Sequence, residues 1–251
     1  MINDRREKKA VMTYLISGLC GRLFNIFIVM CFLFACVVIA FEGAVFRGYI
    51  SFSHPAAVLA AKNIIFFIVI FFLLVRYVKS NFSPADNAGS GRMVAAYAAH
   101  MIKTAVMIGI PLKIVILLYL KYASDDFGID RILAFNGNGW LSFAYNAVIL
   151  SVMIIGFGVV NNTGSSSGSL VKALRFVFTR NGAVVIPVLA AFFAAVAVSD
   201  HLVRLIEYRT VISLIVDSVV LPFRYCLLFF VVYAVSAIIE NTKGRNPHVI
   251  S

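Results

Sequence analysis

Charge is scarce in this sequence. Asp, Glu, Lys and Arg make up 13% of its 251 residues, where a soluble domain carries roughly 25%. Beside 62% hydrophobic residues and a mean hydropathy of +0.97, that shortage excludes a soluble globular domain and a disordered chain. Signatures of chemistry are missing too. Cys20, Cys31, Cys36 and Cys226 show no C-x-x-C spacing and lie in or beside apolar runs, so they are expected to be reduced packing residues rather than a disulfide framework. His54, His100, His201 and His248 share no metal-ligand spacing, and neither H-E-x-x-H nor a Gly-rich phosphate loop occurs. Gly164-Ser165-Ser166-Ser167-Gly168 spells a nucleophile elbow, but it lies in a Ser/Gly linker between helices instead of between a strand and a helix. No catalytic set, metal or cofactor is therefore expected. Action on lipid would fall to His100 or to Asp200 with His201.

What the chain does have is long apolar runs. A bilayer core of about 30 Å needs around 20 mostly apolar residues as helix, because lipid offers backbone polar groups no other partner. Six stretches meet that need: Leu23–Phe41, Ala56–Val78, Thr104–Leu120, Trp140–Val160, Gly182–Val198 and Val211–Ile239. The expected fold class is all-α: a polytopic integral membrane protein with six transmembrane helices. The first is read as an uncleaved span, since it is longer than a signal core and no A-x-A-like site follows it.

The acidic residues number 11 and the basic ones 22, a net charge of +11. In a soluble protein such an excess suggests nucleic acid, but here the cations follow the topology. Arg5, Arg6, Lys8, Lys9, Arg22, Arg76, Lys79, Arg92, Lys172, Arg175, Arg180, Lys243 and Arg245 fall on one set of connecting segments. The opposite set holds fewer, Arg47, Lys62, Lys121, Arg131, Arg204 and Arg209, together with most of the acids. By the positive-inside rule both termini are cytoplasmic, in an inner or plasma membrane, and nucleic acid is not an expected partner.

Asn81–Gly91 and Asn161–Gly168 read as turn-rich cytoplasmic linkers. They divide a single membrane domain into thirds, 9–85, 92–163 and 169–243. Each third opens on a basic, semi-apolar segment and continues into a helical hairpin, a threefold repeat of pattern more than of residues. In the last third Leu170, Leu174, Val177 and Phe178 share one side of a helix, with Lys172 and Arg175 largely elsewhere. That is the patterning of a short amphipathic helix on the cytoplasmic face. Such helices either touch a partner or merely lie against anionic headgroups. Lys172, Arg175, Arg180 and Arg92 are the candidate docking or lipid-contact residues.

Ionisable residues inside spans need a reason, at about 2.5–3.5 kcal/mol each on insertion scales. Asp217 and Arg224 lie seven apart in the sixth span, hence on one face, with Pro222 between them. Lys103 and Lys113 likewise share a face of the third, Lys113 two residues past Pro111. Pro111, Pro187 and Pro222 are expected helix breaks. Lys113, Asp217 and Arg224 either line a pathway or form structural pairs, Lys113 with Asp217 among them. Two functions follow as expectations. One is a non-enzymatic membrane subunit of a transport or secretion assembly, bound to other membrane subunits or its own copies. The other is a self-contained transporter or channel for a small solute or ion.

Overall fold

The computed structural model describes residues 21–41, 55–81, 90–123, 139–179, 182–204 and 216–245. All regular structure among them is helical, with no strand. We number the helices α1 (Gly21–Phe41), α2 (Pro55–Asn81), α3 (Ser90–Thr104), α4 (Ile110–Ala123), α5 (Gly139–Thr163), α6 (Ser169–Val177), α7 (Gly182–Arg204) and α8 (Leu221–Arg245). Five stretches are long and apolar enough to cross a membrane: Gly21–Phe41, Gly91–Tyr119, Leu141–Thr163, Gly182–Ser199 and Ser218–Glu240. The second expected span falls in α2, whose described apolar stretch, Ile64–Tyr77, is shorter than these five. The opening segment at Lys9–Ile16 and Arg180 lie outside the described residues, as does the side chain of Asp217.

The chain divides into two compact units, Met1–Asn81 with Ala194–Phe230, and Phe82–Phe193 with Val231–Ser251. In the first, α1 buries Met30, Phe34 and Val38, spaced by four, and α2 buries Phe66, Ile70 and Leu74 at the same spacing. Phe34 stacks on Phe66 with ring centroids 4.0 Å apart and meets Tyr225 edge-on. The opposite faces are as apolar as the buried ones: Phe32 is 69% exposed and Ile68 61%. A surface of that kind has lipid as its matching solvent. In the second unit α5 is the central element, packed against both α3 and α6. Its buried residues run from Val152 to Asn162 almost without interruption.

Three expectations change. The opening segment at Arg92–Ala99 is no separate surface helix: α3 runs into α4 through one wide turn, Ala105–Gly109. Nothing between Ala98 and Thr104 breaks a helix, whereas the last third has Thr179 and Gly182. There Thr179 Oγ1 accepts from the Gly182 N–H at 3.1 Å, and α6 stands as a helix of its own. Asn161 and Asn162, read as linker, belong to α5, and the connection begins at Gly164, where φ is 66°.

The prolines, finally, do not end their helices. Pro187 lies within α7. Pro111 and Pro222 each follow a five-residue π-type turn by two positions, after Ala105–Gly109 and Val216–Val220. In the first of these the Ile110 N–H donates to Ala105 O, five residues back. The extra residue widens the turn, which relieves the clash between a proline ring and the carbonyl four residues before it. It also rotates everything beyond by about 100°. Lys103 and Lys113 thereby lose their common face.

Candidate functional site

Of the residues singled out for charge, Lys113 and Arg224 differ in their settings. Lys113 lies on the exposed surface of α4. Arg224 is half-buried, and its Nε donates to Ser199 Oγ at 2.8 Å, while that hydroxyl donates to Val196 O at 2.7 Å. A serine on α7 is thus among the neighbours of Arg224. The expected pairing of Lys113 with Asp217 involves a side chain outside the described residues. Arg92 and Arg175 are exposed and Lys172 is half-exposed.

A different set converges, where α3, α5, α6 and α8 supply a buried polar cluster. His100, Thr104, Asn161, Ser169 and Ser236 are all fully buried, and Tyr97 with them. Tyr97 Oη donates to Asn161 Oδ1. Asn161 Nδ2 donates to Ser236 Oγ at 2.8 Å, and Ser236 returns its proton to Val232 O at 2.7 Å. Asn162 Nδ2 reaches Gly158 O at 2.9 Å and Ser236 O at 3.1 Å, so one side chain ties α5 to itself and to α8.

His100 is the second centre. Its Nδ1 is 2.8 Å from Ser169 Oγ, whose proton goes to Ser166 O at 3.0 Å. With the proton on Nδ1, that nitrogen donates to Ser169 and Nε2 accepts from Thr104 Oγ1 at 3.3 Å; with the proton on Nε2, that nitrogen donates instead to Val152 O at 3.4 Å. Lys103 Nζ closes the arrangement on Ser166 O at 3.0 Å. The ring fits only because residue 156 is glycine: a Cβ there would lie 1.7 Å from His100 Nε2. Phe157 packs its ring against both Tyr97 and His100.

A buried serine beside a histidine invites comparison with a nucleophile and its base. The hydroxyl proton goes to a backbone carbonyl, however, and the ring nitrogen away from the serine faces Thr104 Oγ1 and Val152 O, not a carboxylate. The cluster fixes the first residue of α6 to α3 and α5.

That fixation sets the face α6 presents. Ser169, Leu170, Ala173 and Phe176 are buried. Val171, Leu174 and Phe178 are exposed, Phe178 to 89%, and Lys172 and Arg175 flank them. Of the four apolar residues expected on one side, Leu170 is buried, Val177 half-buried, and Leu174 and Phe178 exposed.

Sequence reading missed the cluster. Its trace was there, in Tyr97, His100 and Thr104 on one helical side of an apolar run, and in Ser236 within another. Comparison with known proteins gives no lead: no family model, no curated protein and no solved structure matches this chain.

Proposed function

We propose that the chain is a non-enzymatic, multi-pass membrane subunit of a transport or secretion assembly, and that α6 is its docking element. In this reading it crosses an inner or plasma membrane six times, with both termini in the cytoplasm. The observation that carries it is a short helix locked at its first residue by buried hydrogen bonds, presenting Val171, Leu174 and Phe178 beside Lys172 and Arg175. A helix that only floated among headgroups would not require such a lock. Pre-organisation of this kind lowers the ordering cost of binding a partner. Other membrane subunits or further copies of the chain are the partners, with anionic headgroups beneath.

The test is a photo-crosslinking residue at Phe178 in native membranes, with Ile114 on α4 as control. A discrete protein adduct at Phe178 alone is expected. Reversing Lys172→Glu with Arg175→Glu should reduce it at least about tenfold, the order of several kT of lost electrostatic complementarity. Adducts to lipid only would overturn the reading.

One observation favours a second reading, a self-contained transporter. Ile110-Pro111-Leu112-Lys113 and Leu221-Pro222-Phe223-Arg224 each follow a π-type turn at the same spacing. With six spans these are the last of each half of three, so they run in opposite senses, as inverted repeats do. Purified protein in liposomes separates the two readings. The subunit reading expects no solute flux, and flux abolished by Lys113→Ala would establish the transporter.

A further inference from the structure

Arg22 stands in the first turn of α1 and Arg76 in the last two turns of α2. Since the two helices run in opposite senses there, both guanidinium groups come to one end of the pair. With Asn25, Ile26 and Val29 from α1 and Leu73 and Tyr77 from α2, they line a cavity of about 350 Å³. That volume lies at the lower end of the range for small-molecule sites. Tyr77 is buried, its ring stacked on Phe229 at 6.0 Å between centroids, and gives the cavity a rigid side. The two arginines are exposed.

The cavity has two chemically distinct parts. At the helix ends lie two planar cations and a carboxamide. Deeper along the same helices the wall is Ile26, Val29 and Leu73, with no polar atom in their side chains. Neither α1 nor α2 contains a single Asp or Glu. Among the described residues Arg76 has no ion-pair partner. Arginine matches phosphate through paired N–H donors. The cations stand where apolar helix gives way to polar sequence, at the depth of headgroups, and the apolar wall runs from there toward the bilayer interior.

We propose that this cavity binds one anionic phospholipid. Arg22 and Arg76 hold its phosphodiester, Asn25 hydrogen-bonds the headgroup, and the first carbons of an acyl chain lie along Ile26, Val29 and Leu73. The site is distinct from α6 and does not depend on the docking reading. A free phosphate would satisfy the arginines but leave the apolar wall unused, which is why the lipid is the better occupant.

The experiment is native mass spectrometry of the full chain, stripped of lipid in detergent. It is then titrated separately with phosphatidylglycerol, with phosphatidylcholine of the same chains, and with inorganic phosphate. One tightly retained phosphatidylglycerol per chain is expected, bound at least about tenfold more tightly than phosphatidylcholine. Arg22→Gln with Arg76→Gln should remove that preference, while Lys172→Gln with Arg175→Gln, an equal loss of charge elsewhere, should leave it. Val29→Trp keeps both arginines and fills the apolar wall, so it should lower retention even if the arginine variant folds poorly. Equal retention of both lipids would overturn the proposal, as would equal effects of the two charge variants. Full competition by millimolar phosphate, or unchanged binding in Val29→Trp, would show a simple anion site and overturn the lipid assignment.

Discussion

Gly156→Ala is expected to destabilise the second unit by about 3 kcal/mol, while the same change at Gly158 costs about 1 kcal/mol or less. Both glycines lie in α5, two residues apart, and in both an alanine would gain up to about 1 kcal/mol of helix propensity. The difference lies in what each methyl would meet. At 156 it would fall 1.7 Å from His100 Nε2 and 2.0 Å from Cε1, so the whole ring must leave. Leaving breaks the bonds to Ser169 and Thr104 and strands buried polar atoms. At 158 the nearest atom is Ile239 Cδ1 at 2.8 Å, the end of a flexible side chain that can swing aside. Thermal unfolding in detergent reads the two stabilities, and amide exchange over Ser169–Val177 shows whether α6 comes loose only in Gly156→Ala. A double variant, Gly156→Ala with His100→Ala, should recover part of the loss, because the methyl then occupies space the ring has vacated. Equal effects at the two glycines, or no recovery, would mean that His100 does not hold α6.

The sequence made the helical, lipid-facing character plain, for reasons visible in its residues. Runs such as Leu23–Phe41 carry no charge, and the buried faces of α1 and α2 differ from the exposed ones in shape more than in polarity. Phe34 and Phe32 are both phenylalanine, yet one is fully buried and the other 69% exposed. Hydropathy therefore shows that a helix sits in lipid without showing which side packs. Asn161 illustrates a second limit. Next to Thr163 and Gly164 it reads as turn, because asparagine commonly competes for backbone hydrogen bonds. Here its partners are Tyr97, 64 residues earlier, and Ser236, 75 later, and only the packed helices bring them within reach. The wide turns before Pro111 and Pro222 are a third. Proline announces a disturbed helix, but whether the helix ends, kinks or admits one extra residue depends on its neighbours. At the first of these turns Tyr145 Oη donates to Gly109 O at 3.1 Å, supplying a bond from α5 that local sequence does not contain.

Asn161→Leu is expected to cost about 2 kcal/mol, although the volume is nearly unchanged and leucine suits an apolar helix better. The reason is the phenol left behind. Ser236 keeps a partner in Val232 O, and Asn162 keeps its two carbonyls. The Tyr97 hydroxyl, fully buried and directed at residue 161, loses the acceptor it has there. Tyr97→Phe alone should cost less, about 1 kcal/mol, since it strands only an amide oxygen. Removing both should then be milder than Asn161→Leu by itself, because an apolar pair in an apolar setting leaves nothing unsatisfied. A double-mutant cycle by thermal unfolding measures this as a coupling of about 1 kcal/mol, toward the upper end of hydrogen bonds between membrane helices. Simple additivity of the two substitutions would show that the bond contributes no specificity. The sign of the coupling matters for the docking reading. If the polar contacts stabilise only jointly, the cluster acts as a unit that fixes α3, α5 and α8 in one arrangement, and α6, held through His100 one helical turn from Tyr97, inherits a single position from which to meet a partner.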